Sequence, residues 1–425
     1  MAREMKDSGI EWIGEIPREW EVAQLKRFIN VNNGREIETE VQDTNGAIPV
    51  YGSGGVFKYT NIPLFDGETV MFGRKGTLGK PIYANEKLWT VDTMYFLTFS
   101  DDIFAKFNYY QLVSFDWNPH ITQTALPSVV GSEIVSCHFA FPPFSEQQSI
   151  AVFLDTQCAH IDSVIEKTRA AIEEYKRLKQ SVITQAVTKG IRPNREMKDS
   201  GIEWIGEIPK EWKAILIIRL LDYSHPYPLG DGDHGLIKTE SYQQTGIPYI
   251  RVQNLSWGQD LILDNLVYIS EKDNNRIINS TLKPNDILFA KTGATIGKTG
   301  IVPNSIPVAN TTSHIGKLTL SNTVNSKYVF YSLSSHVGYR QFWERACLKA
   351  TRPELTIDEI RSIKVILPDS FTEQSEIVAY LDEKTTAIDS LIQKKEQLIS
   401  ELEAYKKSLI YEYVTGKKEV PVHAH

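Results

Sequence analysis

The sequence predicts a mixed α/β fold in which two globular domains are separated by two long antiparallel coiled-coil helices, related by an internal pseudo-twofold repeat. Three observations carry this prediction. A segment near the start of the chain recurs almost unchanged in the middle, a long heptad-patterned segment closes each half, and the sequences between these markers differ. At 425 residues the chain is also too long for one ordinary core.

The repeat itself is the strongest signal, because internal repeats determine the architecture before any local pattern does. Residues 3–22 read REMKDSGIEWIGEIPREWEV and residues 195–214 read REMKDSGIEWIGEIPKEWKA, so they differ at three positions; we call these the opening segments. Two 44-residue closing segments, beginning at Ser145 and Thr372, align without a gap. The opening segments are 192 residues apart and the closing segments 227, so the second half carries 35 additional residues between its markers.

Both closing segments show the seven-residue repeat of a coiled-coil seam. A helix of about 40 residues would be about 60 Å long, and its apolar seam cannot face water along that length. We therefore predict that the two helices bury their seams against each other as an antiparallel pair. A helix packed only on its own domain is the alternative. The predicted seam residues are Leu154, Ile161, Ile165, Ile172, Tyr175, Val182, Leu381, Ile388, Ile392, Ile399, Leu402 and Leu409.

Two lysines interrupt this apolar pattern at equivalent seam positions, Lys179 and Lys406. A polar seam residue can fix the register of a coiled coil at some cost in stability. We favour a second reading, in which the aliphatic stems lie along the seam and the ammonium groups reach solvent.

The ends of the helices carry recognisable signals. Pro142-Pro143 followed by Ser145 and Gln148 predicts a capping-box start for the first helix. Residues 189–193, KGIRP, predict its end, and Thr415-Gly416 predicts the end of the second helix.

These markers divide the chain into five parts. The predicted boundaries are 1–144 for the first globular domain, 145–192 for the central helix, 193–371 for the second domain, 372–416 for the C-terminal helix and 417–425 for a tail. The predicted strands are Ala47–Tyr51, Thr69–Phe72, Met94–Phe99 and Ile134–Phe141 in the first domain, and Ile247–Val252, Asp286–Ala290, Lys317–Leu320 and Ile363–Leu367 in the second.

Composition narrows the class of protein. No apolar run approaches the length of a membrane span, and the first residues lack a secretory apolar core. Three scattered cysteines without a CxxC pair argue against disulfides or structural zinc, so we expect a cytoplasmic protein. The net charge of −7 mildly disfavours an independent DNA-binding protein, but DNA is bound by local patches and its contacts can be shared with partner subunits.

Catalytic and metal-binding patterns are incomplete. Gly293 and Gly297 are separated by three residues, whereas a nucleotide-binding phosphate loop needs four. Phe141-Pro-Pro-Phe144 resembles the tetrapeptide of amino-methyltransferases, but phenylalanine replaces the Asn or Asp that accepts the amine hydrogen bond. The histidines show no metal-ligand spacing. We therefore predict no catalytic residue, no metal site and no cofactor on this chain.

The doubled GIEWIGEIPxEW, the doubled EQ…LD…ID helix, and the IPVYGSGG and GRKGTLGK motifs resemble the DNA-specificity subunit of type I restriction–modification systems. This resemblance covers nearly the whole chain. It implies that each globular domain is a target-recognition domain that reads one half of a split site in double-stranded DNA. It also implies that the paired helices set the gap and bind two methyltransferase (modification) subunits. A separate restriction/translocase subunit completes the complex, so S-adenosylmethionine, ATP and Mg are expected only on the partner subunits.

Two loops in each domain are the candidate DNA contacts. Residues 72–80, FGRKGTLGK, resemble residues 289–298, FAKTGATIGK, and residues 126–134 correspond more weakly to 352–360. Arg, Asn and Gln can read base edges, while Lys and Thr suit phosphates. The candidates are Ser53, Arg74, Lys75, Thr77, Lys80, Gln123 and Ser128 in the first domain, and Arg251, Asn254, Lys291, Thr292, Thr295, Lys298 and Arg352 in the second.

Other readings are open at this point. Any of these candidates can instead be an ordinary surface side chain. The four tryptophans of the opening segments are assigned to packing, although the segments could contact a partner subunit. A helical interaction scaffold that does not bind DNA is the alternative function, but unlike domains in a repeated frame favour recognition of two unlike half-sites.

Overall fold

The computed structural model describes residues 3–42, 44–258, 260–347 and 353–421. Its contacts divide the chain into two compact units, Met1–Arg169 with Lys395–His425, and Ala170–Lys394. Each unit contains a globular domain and part of both long helices. The two halves of the sequence thus each form a mixed α/β domain, as the repeat predicts.

The first unit is built around a six-stranded sheet with the order β4-β9-β7-β8-β5-β6, in which only the β5–β8 pair is parallel. Smaller pairs are the β1–β2 hairpin and the β3–β10 ladder. The strands are β1 Met5–Asp7, β2 Glu15–Pro17, β3 Glu21–Gln24, β4 Ile29–Asn33, β5 Ile48–Gly52, β6 Gly55–Thr60, β7 Phe65–Gly73, β8 Ile82–Thr90, β9 Met94–Phe99 and β10 His138–Phe141. The α-helices are α1 Ala105–Ser114, α2 Gly131–Ser136 and α3 Phe144–Lys189, which continues into the second unit, and short 3-10 turns lie at Leu25–Arg27 and Asn118–His120.

The central strand β7 explains how this sheet is held. Val70 and Phe72 pack into the cluster that also contains Trp117, whereas Met71 packs into a second cluster on the opposite face with Met94. Alternate residues of a strand point to opposite faces, so apolar residues at three consecutive positions bury both sides. The end of β7, where the candidate loop begins, is therefore rigidly placed.

The second unit has a four-stranded sheet, β14-β20-β17-β18, and a three-stranded sheet, β16-β15-β19. Its strands are β11 Met197–Asp199, β12 Glu207–Pro209, β13 Lys213–Leu216, β14 Leu229–Asp231, β15 Ile247–Ile250, β16 Val267–Ile269, β17 Ile287–Ala290, β18 Thr299–Ile301, β19 Asn310–Thr311, β20 Ile315–Leu318 and β21 Lys364–Leu367. Its α-helices are α4 Glu271–Arg276, α5 Ser326–Ser334, α6 His336–Cys347, α7 Ile357–Arg361 and α8 Phe371–Val414, which continues into the first unit. Short 3-10 turns lie at Ile217–Leu220, Thr239–Ser241, Val252–Asn254, Ile278–Ser280 and Gly293–Thr295.

Strand β17 is the counterpart of β7. Both are antiparallel to two neighbours, and Ile287 and Phe289 face one cluster while Leu288 and Ala290 face another. The β13–β21 ladder likewise repeats the β3–β10 ladder. The predicted likeness of the two domains therefore extends from the sequence markers to the central strands.

The helix pair is antiparallel in each unit. In the first unit the tilted rings of Phe153 and Tyr413 pack with centroids 4.6 Å apart, and Arg169 lies 3.1 Å from Glu403. In the second unit Lys179 contacts Asp389 at 2.7 Å, and Arg192, just after the end of α3, contacts Glu376 at 2.5 Å. Partner numbers fall on α8 as they rise on α3, so the prediction of antiparallel pairing is confirmed within each unit.

The residues predicted for the seam are all buried or partly buried, and Leu154 and Leu381 are fully enclosed. The helices also contact their own domains, so the alternative of a helix packed only on its domain is wrong, because each seam faces the other helix.

The seam lysines differ from the favoured prediction. Both bind carboxylates of the opposite helix: Lys179 donates to Asp389 at 2.9 and 2.7 Å, and Lys406 donates to Asp162 at 2.7 Å to each oxygen. Lys179 is only 5% exposed, so its ammonium group does not reach solvent freely. The register-fixing interpretation fits this geometry.

Some local predictions are corrected. Helix α3 already begins at Phe144, and the carbonyl of Pro143 accepts from the backbone N–H groups of Glu146 and Gln147, so Ser145 is not its N-cap. Ile134 belongs to α2 rather than to a strand, because a short apolar run does not distinguish the two.

The predicted strands of the second domain lie closer to the observed strands than Ile134–Phe141 does in the first. The strand predicted at Lys317–Leu320 is observed as Ile315–Leu318, and Val252 lies in a 3-10 turn after β15. The other predicted strands are observed within about four residues of their expected ends.

Candidate nucleic-acid interface

The opening segment of the first unit covers the beginning of α3. The guanidinium group of Arg3 donates to both carboxylate oxygens of Glu146, at 2.7 and 2.9 Å, and the indole N–H of Trp20 donates to the same carboxylate at 3.2 Å. Arg3 also lies 5.7 Å above the Trp20 ring. Trp20 is 1% exposed, as expected for a packing residue.

The same segment contacts the end of α8. The hydroxyl group of Tyr411 donates to the backbone carbonyl of Trp12 at 3.1 Å. Gly416 has a φ of +70°, and a Cβ there would lie 2.3 Å from Pro17. The opening segment therefore joins the first turn of one helix to the last turn of the other.

The second unit repeats this arrangement. Arg195 binds Glu373 of α8 and Glu211, and it lies 5.5 Å above the Trp212 ring, which is fully buried. Gly190, after the end of α3, lies against the same ring, to which an added Cβ would approach within 3.2 Å. In each unit the start of one long helix lies beside the end of the other, which explains why the two opening segments are nearly identical.

Polar residues of the closing segments attach each helix to its domain. The side-chain oxygen of Gln147 accepts from the backbone N–H of Phe104 at 2.8 Å, and that of Gln374 accepts from Asn325 at the same distance. Both glutamines are 2% exposed, so these bonds are shielded from water.

A tyrosine–aspartate pair makes the second attachment. Tyr110 donates to Asp155 at 2.6 Å, and Tyr331 donates to Asp382 at 2.5 Å. Burial and then the hydrogen bond to the carboxylate raise the pKa of each tyrosine. The sequence signal for these residues is a third repeat, AKFNYYQL at 105–112 and SKYVFYSL at 326–333, which was not among the predicted markers.

On this frame, the first domain brings its candidate residues together around the loop that follows β7. Lys75 forms an isolated β-bridge with Ser128, and the carbonyl of Arg74 accepts from the backbone N–H of Val129 at 3.0 Å. A Cβ on Gly76 would lie 2.6 Å from the Ser53 hydroxyl.

The cationic side chains of this loop are available. Arg74, Lys75 and Lys80 are exposed, and Thr77 is half-buried. No side-chain hydrogen bond or ion pair is formed by these three cations with the described part of the chain. They are thus free to bind an external anion.

A short hairpin stands beside this loop. Thr122 and Ser128 exchange backbone and side-chain hydrogen bonds of 3.0 to 3.1 Å, and a bridge pairs Ile121 with Val129. Gln123 is exposed near the tip. The hairpin therefore holds Ser128 next to Lys75.

The equivalent loop of the second domain has the same backbone connections but different chemistry. Thr292 bridges to Glu354, and Leu355 donates to the carbonyl of Lys291 at 2.8 Å, as Val129 does to the carbonyl of Arg74. Thr295 donates to the carbonyl of Thr292 at 3.0 Å, and Lys298 is half-buried. In each domain, therefore, the two candidate loops lie next to each other.

Lys291 has an internal role. Its ammonium group lies 2.8 Å from Asp231 and 3.1 Å from Glu354, and the residue is 8% exposed. Burial lowers the pKa of Lys291, but the hydrogen bonds to Asp231 and Glu354 outweigh this effect, so the pKa lies above its usual value. A lysine so enclosed does not reach out to a phosphate.

Asn254 also has an internal role. Its side chain accepts from the backbone N–H of Arg251 at 2.9 Å and donates to the carbonyl of Ile262 at 2.9 Å, and the residue is 1% exposed. The prediction that Asn254 reads a base does not fit this burial. Arg251 is half-buried and donates to the carbonyl of Asn265 at 3.0 Å, and Arg352 lies outside the described residues.

Comparison with known proteins decides the family. The family model described as type I restriction modification DNA specificity domain matches residues 17–174 and again 234–403. The chain belongs to this family. Each match contains both candidate loops of one domain. Specificity subunits of this family are noncatalytic proteins that recognise DNA within a restriction–modification complex.

Full-length relatives agree with this membership. The chain is 23% identical to the type I restriction enzyme MjaVIII specificity subunit of Methanocaldococcus jannaschii, over 95% of this chain and 94% of the relative. It is 22% identical to the type I restriction enzyme EcoBI specificity subunit of Escherichia coli, over 98% and 90%. Both alignments span both domains and both long helices of this chain.

A solved structure supports the fold. A chain from a study of complex assembly and conformational transition of the type I R-M system superposes with a TM-score of 0.67, over 95% of this chain and 99% of that chain, at 13% identity. Among the described residues of this specificity subunit, no helix is long and apolar enough to cross a membrane. No group of three or more His, Cys, Asp or Glu side chains within the described ranges is arranged to hold a metal ion.

Proposed function

We propose that each domain of this specificity subunit reads one half of an asymmetric, bipartite site in double-stranded DNA. The observation that carries the proposal is the difference between the two loops at equivalent places of a repeated frame. The loop after β7 presents three exposed cations, whereas the loop after β17 encloses its lysine between two carboxylates. Domains with unlike loop chemistry suit unlike half-sites.

In the first domain, Arg74, Lys75 and Lys80 supply charge for phosphates or purine acceptors. Gln123 at the hairpin tip suits adenine, and the small hydroxyl groups suit phosphate or base edges. The proposed contacts are Ser53, Arg74, Lys75, Thr77, Lys80, Gln123 and Ser128.

In the second domain, Thr292, Thr295, Lys298 and Arg251 are the proposed contacts, together with Arg352 on the strength of its sequence. Lys291 and Asn254 are proposed to shape the loops that present these residues, because both are enclosed by internal bonds.

The helix pair is proposed to set the gap between the half-sites and to bind two methyltransferase subunits, with a restriction/translocase subunit joining the complex. In this assembly S-adenosylmethionine, ATP and Mg belong to the partner subunits, and the complex acts on cytoplasmic DNA. The repeated opening segments give each end of the pair the same surface chemistry, which suits two copies of one partner. A helical scaffold that does not bind DNA is not favoured.

The test is single-molecule sequencing of methylated DNA after the full chain is combined with its methyltransferase subunits. We expect one asymmetric bipartite motif, and no methylation by the chain alone. Replacing residues 23–140 with the corresponding domain of another specificity subunit should change one half of the motif. A change in both halves, or methyl transfer by the pure chain, contradicts the proposal.

A further inference from the structure

Two β-bridges occupy equivalent places in the two domains. Each joins a residue just after the central strand to the residue that follows a proline: Lys75 to Ser128 after β7, and Thr292 to Glu354 after β17. The two bridges therefore connect equivalent parts of the backbone in the two domains, whereas the side chains at the bridged positions differ in charge. Position 354 carries a carboxylate where the first domain has a hydroxyl group.

Glu354 is held in place on two sides. Its backbone is fixed because Gly293 donates to the Pro353 carbonyl at 2.9 Å and Leu355 donates to the Lys291 carbonyl at 2.8 Å. Its carboxylate accepts from the Lys291 ammonium group at 3.1 Å. The side chain is nevertheless 52% exposed, so the group is fixed and accessible at once.

The space in front of Glu354 is a cavity of about 510 Å³. Its lining residues include His234, His314 and Thr292, whose hydroxyl group lies 3.1 Å from the His314 ring nitrogen Nδ1. A carboxylate has about four acceptor positions, and the bond from Lys291 occupies one of them. Glu354 can therefore accept a further hydrogen bond from a group that enters the cavity.

Lys291 reduces the electrostatic repulsion that a carboxylate near DNA would otherwise cause. An isolated negative charge would repel the phosphates, but Lys291 lies between Glu354 and Asp231, at 3.1 and 2.8 Å. Enclosure by two carboxylates keeps this lysine charged, and its charge partly neutralises theirs. Glu354 thus remains able to accept a hydrogen bond, while its repulsion of the DNA phosphates is reduced.

We propose that Glu354 is a specificity-determining residue of the second domain, accepting a hydrogen bond from the exocyclic amino group of a base in the major groove. The group is N4 of cytosine or N6 of adenine, the two amino donors that this groove presents. The inference rests on the proposed function of the domain as a DNA reader. It adds the class of base that is read and assigns the residue that reads it.

The first domain is expected to read the opposite pattern with the equivalent bridge. Lys75, which occupies the place of Thr292, is a donor at the first bridge, whereas Glu354 is an acceptor at the second, and guanine O6 and N7 are the matching acceptors in the groove. The same backbone arrangement thus presents a hydrogen-bond donor in the first domain and a hydrogen-bond acceptor in the second.

The test compares Glu354→Gln and Glu354→Ala in the full chain, combined with its methyltransferase subunits, on a DNA library randomised in both half-sites. In Glu354→Ala we expect one position of one half-site to lose its preference for an amino-bearing base by about tenfold, with the other half-site unchanged, whereas Glu354→Gln keeps an acceptor oxygen and should lose less. Cytosine or adenine at that position in the wild-type motif decides between the two donors.

Asp358→Asn is the matched control, because it removes a nearby carboxylate that is 89% exposed and lies 3.5 Å from Arg361. It should leave the motif unchanged, and the thermal midpoints of all variants verify folding. An unchanged motif in both Glu354 variants overturns the inference, as does a loss spread evenly over all positions. If the wild-type complex shows no motif at all, the proposed function itself fails.

Discussion

The ammonium group of Lys179 binds both carboxylate oxygens of Asp389 across the helix pair, at 2.9 and 2.7 Å. Lys179→Met removes the cation and leaves Asp389, which is 35% exposed, without it. We expect the free energy of unfolding to fall by about 1–3 kcal/mol, because a hydrogen bond between charged groups is lost in a shielded place. Urea unfolding followed by the helical signal measures the change.

Lys406→Met is the matched control. Lys406 makes the equivalent bonds to Asp162, but its side chain is 28% exposed compared with 6% for Lys179. Since solvent screens the more exposed pair, we expect a smaller loss. Equal losses in the two variants would mean that burial does not govern the strength of these pairs.

Gly416 makes the close contact between the end of α8 and the opening segment. Gly416→Ala should destabilise the first unit, because the added Cβ would meet Pro17 at 2.3 Å in a backbone with φ of +70°. Gly9→Ala carries almost the same backbone strain, with φ of +69°, but no atom lies within 4 Å of its Cβ. We expect the thermal midpoint of Gly416→Ala to be clearly lower. Equal midpoints would show that the contact with Pro17 contributes nothing.

Lys317 is the fully buried cation of the second domain. It lies 3.9 Å from Asp286 and donates to the carbonyl of Thr281 at 2.7 Å. Lys317→Met leaves the Asp286 carboxylate buried without its cation, and such a loss costs about 3–5 kcal/mol. Lys283→Met, at a lysine that is 44% exposed, should cost much less.

The loss at Lys317 should also depend on pH. Burial raises the pKa of Asp286, and removing the lysine raises it further. The folded variant then holds its proton more tightly than the unfolded chain, so its stability is greatest at low pH and falls as the pH rises. We expect the deficit relative to the wild type to grow as the pH rises above the ordinary pKa of an aspartate. A deficit independent of pH would contradict this account.

Lys75 is the exposed cation next to the hairpin of the first domain. Lys75→Ala should weaken DNA binding by the assembled complex and reduce the salt dependence of the binding constant by about one ion. Lys87→Ala, on β8 of the same sheet and 62% exposed, should change neither quantity. Binding curves at several salt concentrations measure both, and a Lys75 variant with an unchanged salt slope would remove this residue from the interface.

The frame could be predicted from the sequence because periodicity and repetition describe it directly. Leu154 and Leu381 recur in a heptad pattern, and seam burial follows from that pattern without knowledge of the domains. The central strands were found for a similar reason, since runs of apolar residues such as those around Phe72 and Phe289 bury both faces of a sheet.

Polar side chains were harder to place, because their roles depend on partners far away in sequence. Lys179 was expected to reach solvent, but its partner Asp389 lies 210 residues away. Asn254 was chosen as a base-reading amide, yet both ends of its side chain are used by neighbouring backbone groups. Residue type alone does not distinguish an amide that reads a ligand from one that supports a turn.

The two lysine–aspartate pairs are spaced alike along both helices: 17 residues separate Asp162 from Lys179 on α3, and 17 separate Asp389 from Lys406 on α8. A change in the length of one helix between these positions would leave at least one lysine facing the wrong turn. A longer helix pair therefore requires insertions of equal length in α3 and α8. During evolution, a change in its length would need coordinated changes at two distant places in the gene.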